Sequence, residues 1–157
     1  MSGHGRTAIL RRLLAVVAVA AATLSMTSAP AVAASAFEFD HTVSATWSGA
    51  DGCIPEGYGA LGCFQHDGDI FRVQDTARDG HSAAIYWHNY LPGSSTLYRW
   101  GSCVNNDGYL TIGKCNKNFR EGSTIKFKTC LYDDNAVTIP SNVANYYDCT
   151  TVWTVIA

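Results

Sequence analysis

Beyond its first 33 residues, the 157-residue chain carries four histidines, His41, His66, His81 and His88. An imidazole does hydrolytic chemistry when it reaches a nucleophile on one side and a carboxylate on the other, with donors nearby for a developing oxyanion. Gly80-His81-Ser82-Ala83 sets a histidine beside a serine, but successive residues of a strand point to opposite faces. No G-x-S-x-G elbow occurs, and an even cysteine set leaves no thiol nucleophile. A hydrolase built on this chain would use His81 or His66 with an aspartate base. The residue pattern argues against an enzyme, and no catalytic residue is assigned.

Metal chemistry finds little more support. His81 and His88 are seven residues apart, an odd spacing that turns them to opposite faces of a straight strand. Asp67, Asp69, Asp75 and Asp79 flank one predicted strand, whose two ends are too far apart for a single ion. Asp75 and Asp79 share a turn and, with backbone carbonyls, have the chemistry for calcium. No D-x-D-x-D-G loop is present, so capping of nearby backbone N–H groups is the preferred role. No metal and no cofactor is expected.

Aromatic residues are the most informative excess. Tyr86, Trp87, Tyr90, Tyr98 and Trp100 crowd one predicted hairpin, interleaved with His88, Asn89 and Arg99. If Ile85 and Trp87 face inward, then Tyr86, His88 and Tyr90 form the outward set. Rings beside polar groups can stack on sugars or anchor a protein partner. Cross-strand packing accounts for the same residues without any ligand. The candidate ligand-binding residues are Tyr86, His88, Tyr90, Tyr98 and Trp100.

The positioning elements begin after a signal peptide. Arg6, Arg11 and Arg12 precede the mostly apolar run Leu13–Leu24, and Ala31-Val32-Ala33 or Ala34-Ser35-Ala36 follows as a cleavage motif. A run of 12 residues falls short of the roughly 20 that span a bilayer. Arg11-Arg12 lacks the remainder of a twin-arginine motif, which leaves the export route open. The expectation is a signal peptide over 1–33 and one secreted, extracellular domain over 34–157, with no stable membrane anchor after cleavage. The first 33 residues hold three arginines and no acids. The 11 basic and 13 acidic side chains of the whole chain thus become eight and 13, a net charge of −5. Such a surface argues against nucleic acid or anionic membrane as partner. Lys114, Lys117, Arg120, Lys126 and Lys128 form one small basic cluster, read as a solvated face.

Six cysteines in an exported chain imply a disulfide framework. About 15 connectivities are possible, and the order along the chain favours three local pairs: Cys53–Cys63, Cys103–Cys115 and Cys130–Cys149. Zinc is disfavoured because no C-x-x-C pair exists. Period-two alternation recurs and helical periodicity does not. It predicts strands over 37–47, 70–74, 82–90, 96–103, 109–115, 124–132 and 149–156, with a glycine-rich loop over 49–62. Seven short strands with frequent turns predict an all-β fold, an antiparallel β-sandwich, with a compact β-barrel as the second choice.

Gly68-Asp69-Ile70-Phe71-Arg72-Val73-Gln74-Asp75, continuing to Asp79-Gly80-His81-Ser82-Ala83, resembles segments of small exported actinobacterial proteins. Gly122-Ser123-Thr124-Ile125-Lys126-Phe127-Lys128-Thr129-Cys130 does so too. The resemblance spans about residues 62–149. It implies a compact disulfide-bonded β domain with Cys103, Cys115, Cys130 and Cys149 structural, and it implies no catalytic residues. The functional expectation is a non-enzymatic extracellular module that binds a protein or glycan. A small enzyme inhibitor presenting a Cys53–Cys63 loop is the alternative, and a secreted hydrolase the third reading.

Overall fold

The computed structural model describes residues 36–48, 52–133 and 140–157, all within the compact unit Ala33–Ala157. The expected signal peptide over 1–33, with the Ala31-Val32-Ala33 motif, lies outside the described residues. So does most of the second cleavage triplet. Among the described residues no helix is long and apolar enough to cross a membrane.

Strands dominate, as the alternation predicts. In chain order they are β1 (Glu38–His41), β2 (Val43–Ser44), β3 (Gly52–Gly57), β4 (Ala60–Gln65), β5 (Ile70–Asp75) and β6 (Ser82–Tyr90). They continue as β7 (Leu97–Asn105), β8 (Ile112–Asn116), β9 (Thr124–Tyr132), β10 (Tyr146–Tyr147) and β11 (Trp153–Ile156). One sheet has the order β1-β7-β6-β9-β10, with β11 also paired to β9, and the other has the order β2-β8-β5-β4-β3. They face each other as a sandwich. Every pairing is antiparallel except β1 with β7, which is parallel.

The core between the sheets follows from the period of two. Ile85 and Trp87 on β6, Ile125 and Phe127 on β9, and Phe71 and Val73 on β5 are all buried on the facing sides. Phe64 and Phe119 complete a ring cluster around Phe71 and Trp87, at centroid separations of 5.2–6.3 Å. Such offset and edge-to-face contacts add about 0.5–1.5 kcal/mol per pair beyond burial.

The three local disulfides form as the cysteine order favours. Cys53–Cys63 joins directly paired residues of the β3–β4 hairpin. Cys130–Cys149 ties β9 to the stretch between β10 and β11. Cys103–Cys115 joins β7 to β8 and so crosses from one sheet to the other, with both residues buried.

The strand map departs from the sequence expectation in several places. The loop expected over 49–62 is instead, from Gly52 on, the β3–β4 hairpin. Tyr58 and Gly59 at its tip both have positive φ (52° and 94°), as a two-residue hairpin turn of the favoured hand requires. Glycines that obscure the alternation here are needed for packing. A Cβ at Gly62 would run into Thr129 and Ile85 of the opposite sheet. The hairpin tip is tied to the body through Thr76 N–H donating to the Gly59 carbonyl at 2.8 Å. The strand expected from Tyr109 starts only at Ile112, because Leu110 sits at φ 62°. The strand expected over 149–156 starts at Trp153, after a separate short β10 and a left-handed Asp148 at φ 47°.

The predicted first strand over 37–47 is two strands, one in each sheet. β1 runs beside Gly101–Val104, and β2 then pairs with Gly113–Lys114 of the opposite sheet. Thr42 N–H donates to the Val104 carbonyl at 2.9 Å and Ala45 N–H to the Ile112 carbonyl at 2.8 Å, so the segment straps both edges together. Phe37 and Phe39 pack on the outer face of the first sheet, and Val43 is exposed. Ion pairs hold the strap down. The Arg99 guanidinium donates to the Glu38 carboxylate at 2.7 and 3.0 Å. Lys117, expected on a solvated face, is 5% exposed, pairs with Asp40 and lies 3.6 Å from Glu38.

Burial raises the Glu38 carboxyl pKa, but Arg99 and then Lys117 outweigh it and hold the group below its ordinary value of 4.5. A depressed carboxylate stabilises the fold fully above its unfolded-state pKa and loses that contribution as pH falls through the folded-state value. Acid unfolding of Glu38→Gln beside the unaltered protein should therefore show less loss of stability below about pH 4.5. Because Glu38 is partly exposed, the difference should stay within about 1 kcal/mol. Superimposable acid curves would remove Glu38 as a contributor.

Candidate binding face

β6 lies between β7 and β9 along its whole length, so its outward residues sit at the centre of the first sheet's outer face. Tyr86, His88 and Tyr90 alternate along it, and the register sets Trp100 of β7 and Lys126 of β9 on either side of His88. Lys128 stands opposite Tyr86. Ring centroids are 5.4 Å apart for Tyr86–His88, 6.4 Å for His88–Tyr90 and 6.2 Å for His88–Trp100. Four of the five expected ligand-binding residues thus form one array. Tyr98 is left out: it sits where the β6–β7 register shifts and makes no ring contact with the others.

The face has a sealed half and an open half. Toward the Ser82 end, Tyr146 lies across the sheet and donates from its hydroxyl to Ser102 Oγ at 2.8 Å, over Ala84. Tyr86, Tyr132 and Phe37 pack around it, and Phe39 packs against Tyr132. Tyr86 is only 8% exposed, so cross-strand packing is its main role. Of the polar neighbours noted on the hairpin, Asn89 is buried and Arg99 is engaged by Glu38. Neither belongs to the open surface.

The open half contains a cleft of about 220 Å³ lined by Tyr86, His88, Lys126, Phe127, Lys128 and Val152. The Lys126 ammonium lies 5.2 Å from the Tyr90 ring centre and that of Lys128 5.4 Å from the Tyr86 ring centre. Neither is ion-paired among the described residues. Burial, then Lys128 and Lys126, lower the His88 pKa from its ordinary 6.5. The local field is therefore cationic through the lysines, in a domain whose net charge is acidic. Sequence reasoning places these two lysines in a small basic cluster read as a solvated face. The signal that finds them is their i, i+2 spacing on β9, whose outward residues must face those of β6.

A second concave region surrounds His81. Its Nδ1 is 2.6 Å from the Tyr147 hydroxyl and 3.5 Å from an Asp133 carboxylate oxygen. Two clefts of about 560 and 240 Å³ adjoin it and share Gly80, Ser82 and Asn106. An imidazole against a carboxylate is half of a hydrolytic apparatus. The other half would be a nucleophile within about 3.2 Å of the ring, and the Ser82 hydroxyl bonds neither His81 nor His41. His66 is exposed and packs edge-on to Phe64. Asp75 and Asp79 cap the N–H groups of Ala77 and His81, each at 3.0 Å. Among the described residues no three His, Cys, Asp or Glu side chains converge as a metal site would require. No protein-family model, curated protein or solved structure matches the chain.

Proposed function

We propose that this chain is a secreted, non-enzymatic binding module whose recognition surface is the open half of the first sheet's outer face. The observation that carries the reading is one convergence. Tyr86, His88, Lys126, Lys128 and the exposed Val152 line a cleft on the sheet face, and Tyr90 and Trp100 stand beside His88 at its border. Neither lysine is ion-paired among the described residues. Apolar floor, oriented rings and a few polar groups are what small recognition sites are made of. Three disulfides suit an oxidising, extracellular setting. The resemblance to small exported actinobacterial proteins, over about 62–149, points the same way.

A glycan array and a pull-down with the purified, disulfide-intact protein test it, repeated with Tyr90→Ala and Trp100→Ala. Stacked rings contribute roughly 1–2 kcal/mol to recognition, so each variant should weaken binding about five- to thirty-fold while the fold is kept. Partners retained in both variants would rule out this face. Turnover of an ester or glycoside that is lost on His81→Ala would replace the proposal with a hydrolase.

A further inference from the structure

We propose that this face takes an acidic glycan, with the apolar side of a uronic acid ring on the Tyr86–Val152 floor and its carboxylate between Lys126 and Lys128. The inference rests on the binding reading above and adds the chemical class of the ligand. Lys126 and Lys128 are two residues apart on β9 and project from the same face, so they border the cleft as a pair. Among the described residues the ion pairs are at Glu38, Asp40, His81, Arg99, Asp133 and Lys117, and none reaches these two ammonium groups. Two cations kept unpaired in a domain of net acidic charge are complementary to an anion. The apolar side chains of the cleft are Tyr86 and Val152, the latter 59% exposed, while Phe127, whose ring faces the core between the sheets, borders it only from the strand. The matching ligand therefore joins a flat C–H face to a carboxylate on one ring. An aspartate or glutamate side chain has the carboxylate without that face, and a neutral sugar has the face without the charge.

Proton linkage gives an independent signature. Facing His88 are Lys126 and Lys128 from β9, Tyr86 and Tyr90 from its own strand, and Trp100 from β7. Burial and the two lysines disfavour the imidazolium. A bound carboxylate offsets the lysines, so the complex holds the His88 proton more tightly than the free protein. Affinity should then be flat above about pH 7 and rise as pH falls below 6.5 toward about 5, while the uronate stays ionised.

The test is calorimetric titration of the purified, disulfide-intact protein with oligogalacturonate, a neutral galacto-oligosaccharide of equal length and poly-L-glutamate. Oligogalacturonate should bind at least about tenfold tighter than either control. Lys126→Gln and Lys128→Gln should each weaken it about two- to five-fold, the range of exposed charge pairs, and added salt should weaken it further. His88→Gln should abolish the rise in affinity at lower pH. Equal binding of poly-L-glutamate would reduce the site to unspecific charge attraction and overturn the glycan assignment. Tight binding of the neutral sugar, lost on Trp100→Ala but indifferent to both lysine variants, would overturn the acidic ligand and leave the binding face standing. Absence of uronate binding would overturn the inference, and the glycan array then decides the face separately.

Discussion

Gly101→Val is expected to destabilise the protein by about 3 kcal/mol, because it expels the strap made by β1 and β2. A Cβ at Gly101 would run into the Glu38 carbonyl, a backbone atom that cannot turn aside. At Gly113 it would meet Thr42, the residue at which the strap passes from one sheet to the other. Ordinarily a glycine inside a strand costs about 0.5–1 kcal/mol relative to alanine, so replacement should help. Here the sign reverses. Overpacking costs roughly 1–3 kcal/mol, and displacement of the strap would also undo the Phe39 burial and the Glu38–Arg99 and Asp40–Lys117 pairs. Gly52→Ala is the control, since nothing lies within 4 Å of its Cβ. Denaturant unfolding of Gly101→Val and Gly52→Ala beside the unaltered protein measures the effect. A Gly101→Val protein as stable as Gly52→Ala would mean that the strap contributes nothing.

Removing the inter-sheet staple should have a comparable effect. In the chain-entropy picture, closing a loop of about 15 residues is worth roughly 3 kcal/mol, and Cys103 and Cys115 are separated by 12. Both are buried, so Cys103→Ala with Cys115→Ala also removes apolar contacts between the sheets. Thermal unfolding of the double variant should fall by ~10 °C, given about 2–8 °C per kcal/mol across domains of this size range. Cys53 is exposed in its hairpin, and Cys53→Ala with Cys63→Ala should cost less, since β3 and β4 keep their ladder. An equal loss in the two double variants would contradict the special role of the staple that crosses the sandwich.

These two sites also show which parts of the fold are legible in the chain. β6 and β9 have the bounds that their alternation predicts, because each is long and has one side against a core. The cysteine pairs follow from their order along the chain, although only Cys53–Cys63 closes a hairpin. The strap was not legible as two strands. Its alternation over 37–47 is continuous, and only Gly101 and Gly113, more than 50 residues away, make room for it. The β3–β4 hairpin was hidden by the glycines that its packing requires. Four residues of the site were readable from alternation on β6 and β7. Lys126 and Lys128 were not, because their significance comes from the β6–β9 register, a long-range pairing. His81, Asp133 and Tyr147 meet for the same reason, from three separate parts of the chain.

Amide chemical-shift mapping on the purified, disulfide-intact protein, titrated with oligogalacturonate, tests the central claim most directly. The predicted result is saturable shifts concentrated at Tyr86, His88, Tyr90, Trp100, Lys126, Lys128 and Val152, with the His81 region unmoved. Shifts centred on His81, Asp133 and Tyr147, or no saturable shifts with this or any array-selected glycan, would contradict the assignment of the outer sheet face as the binding surface.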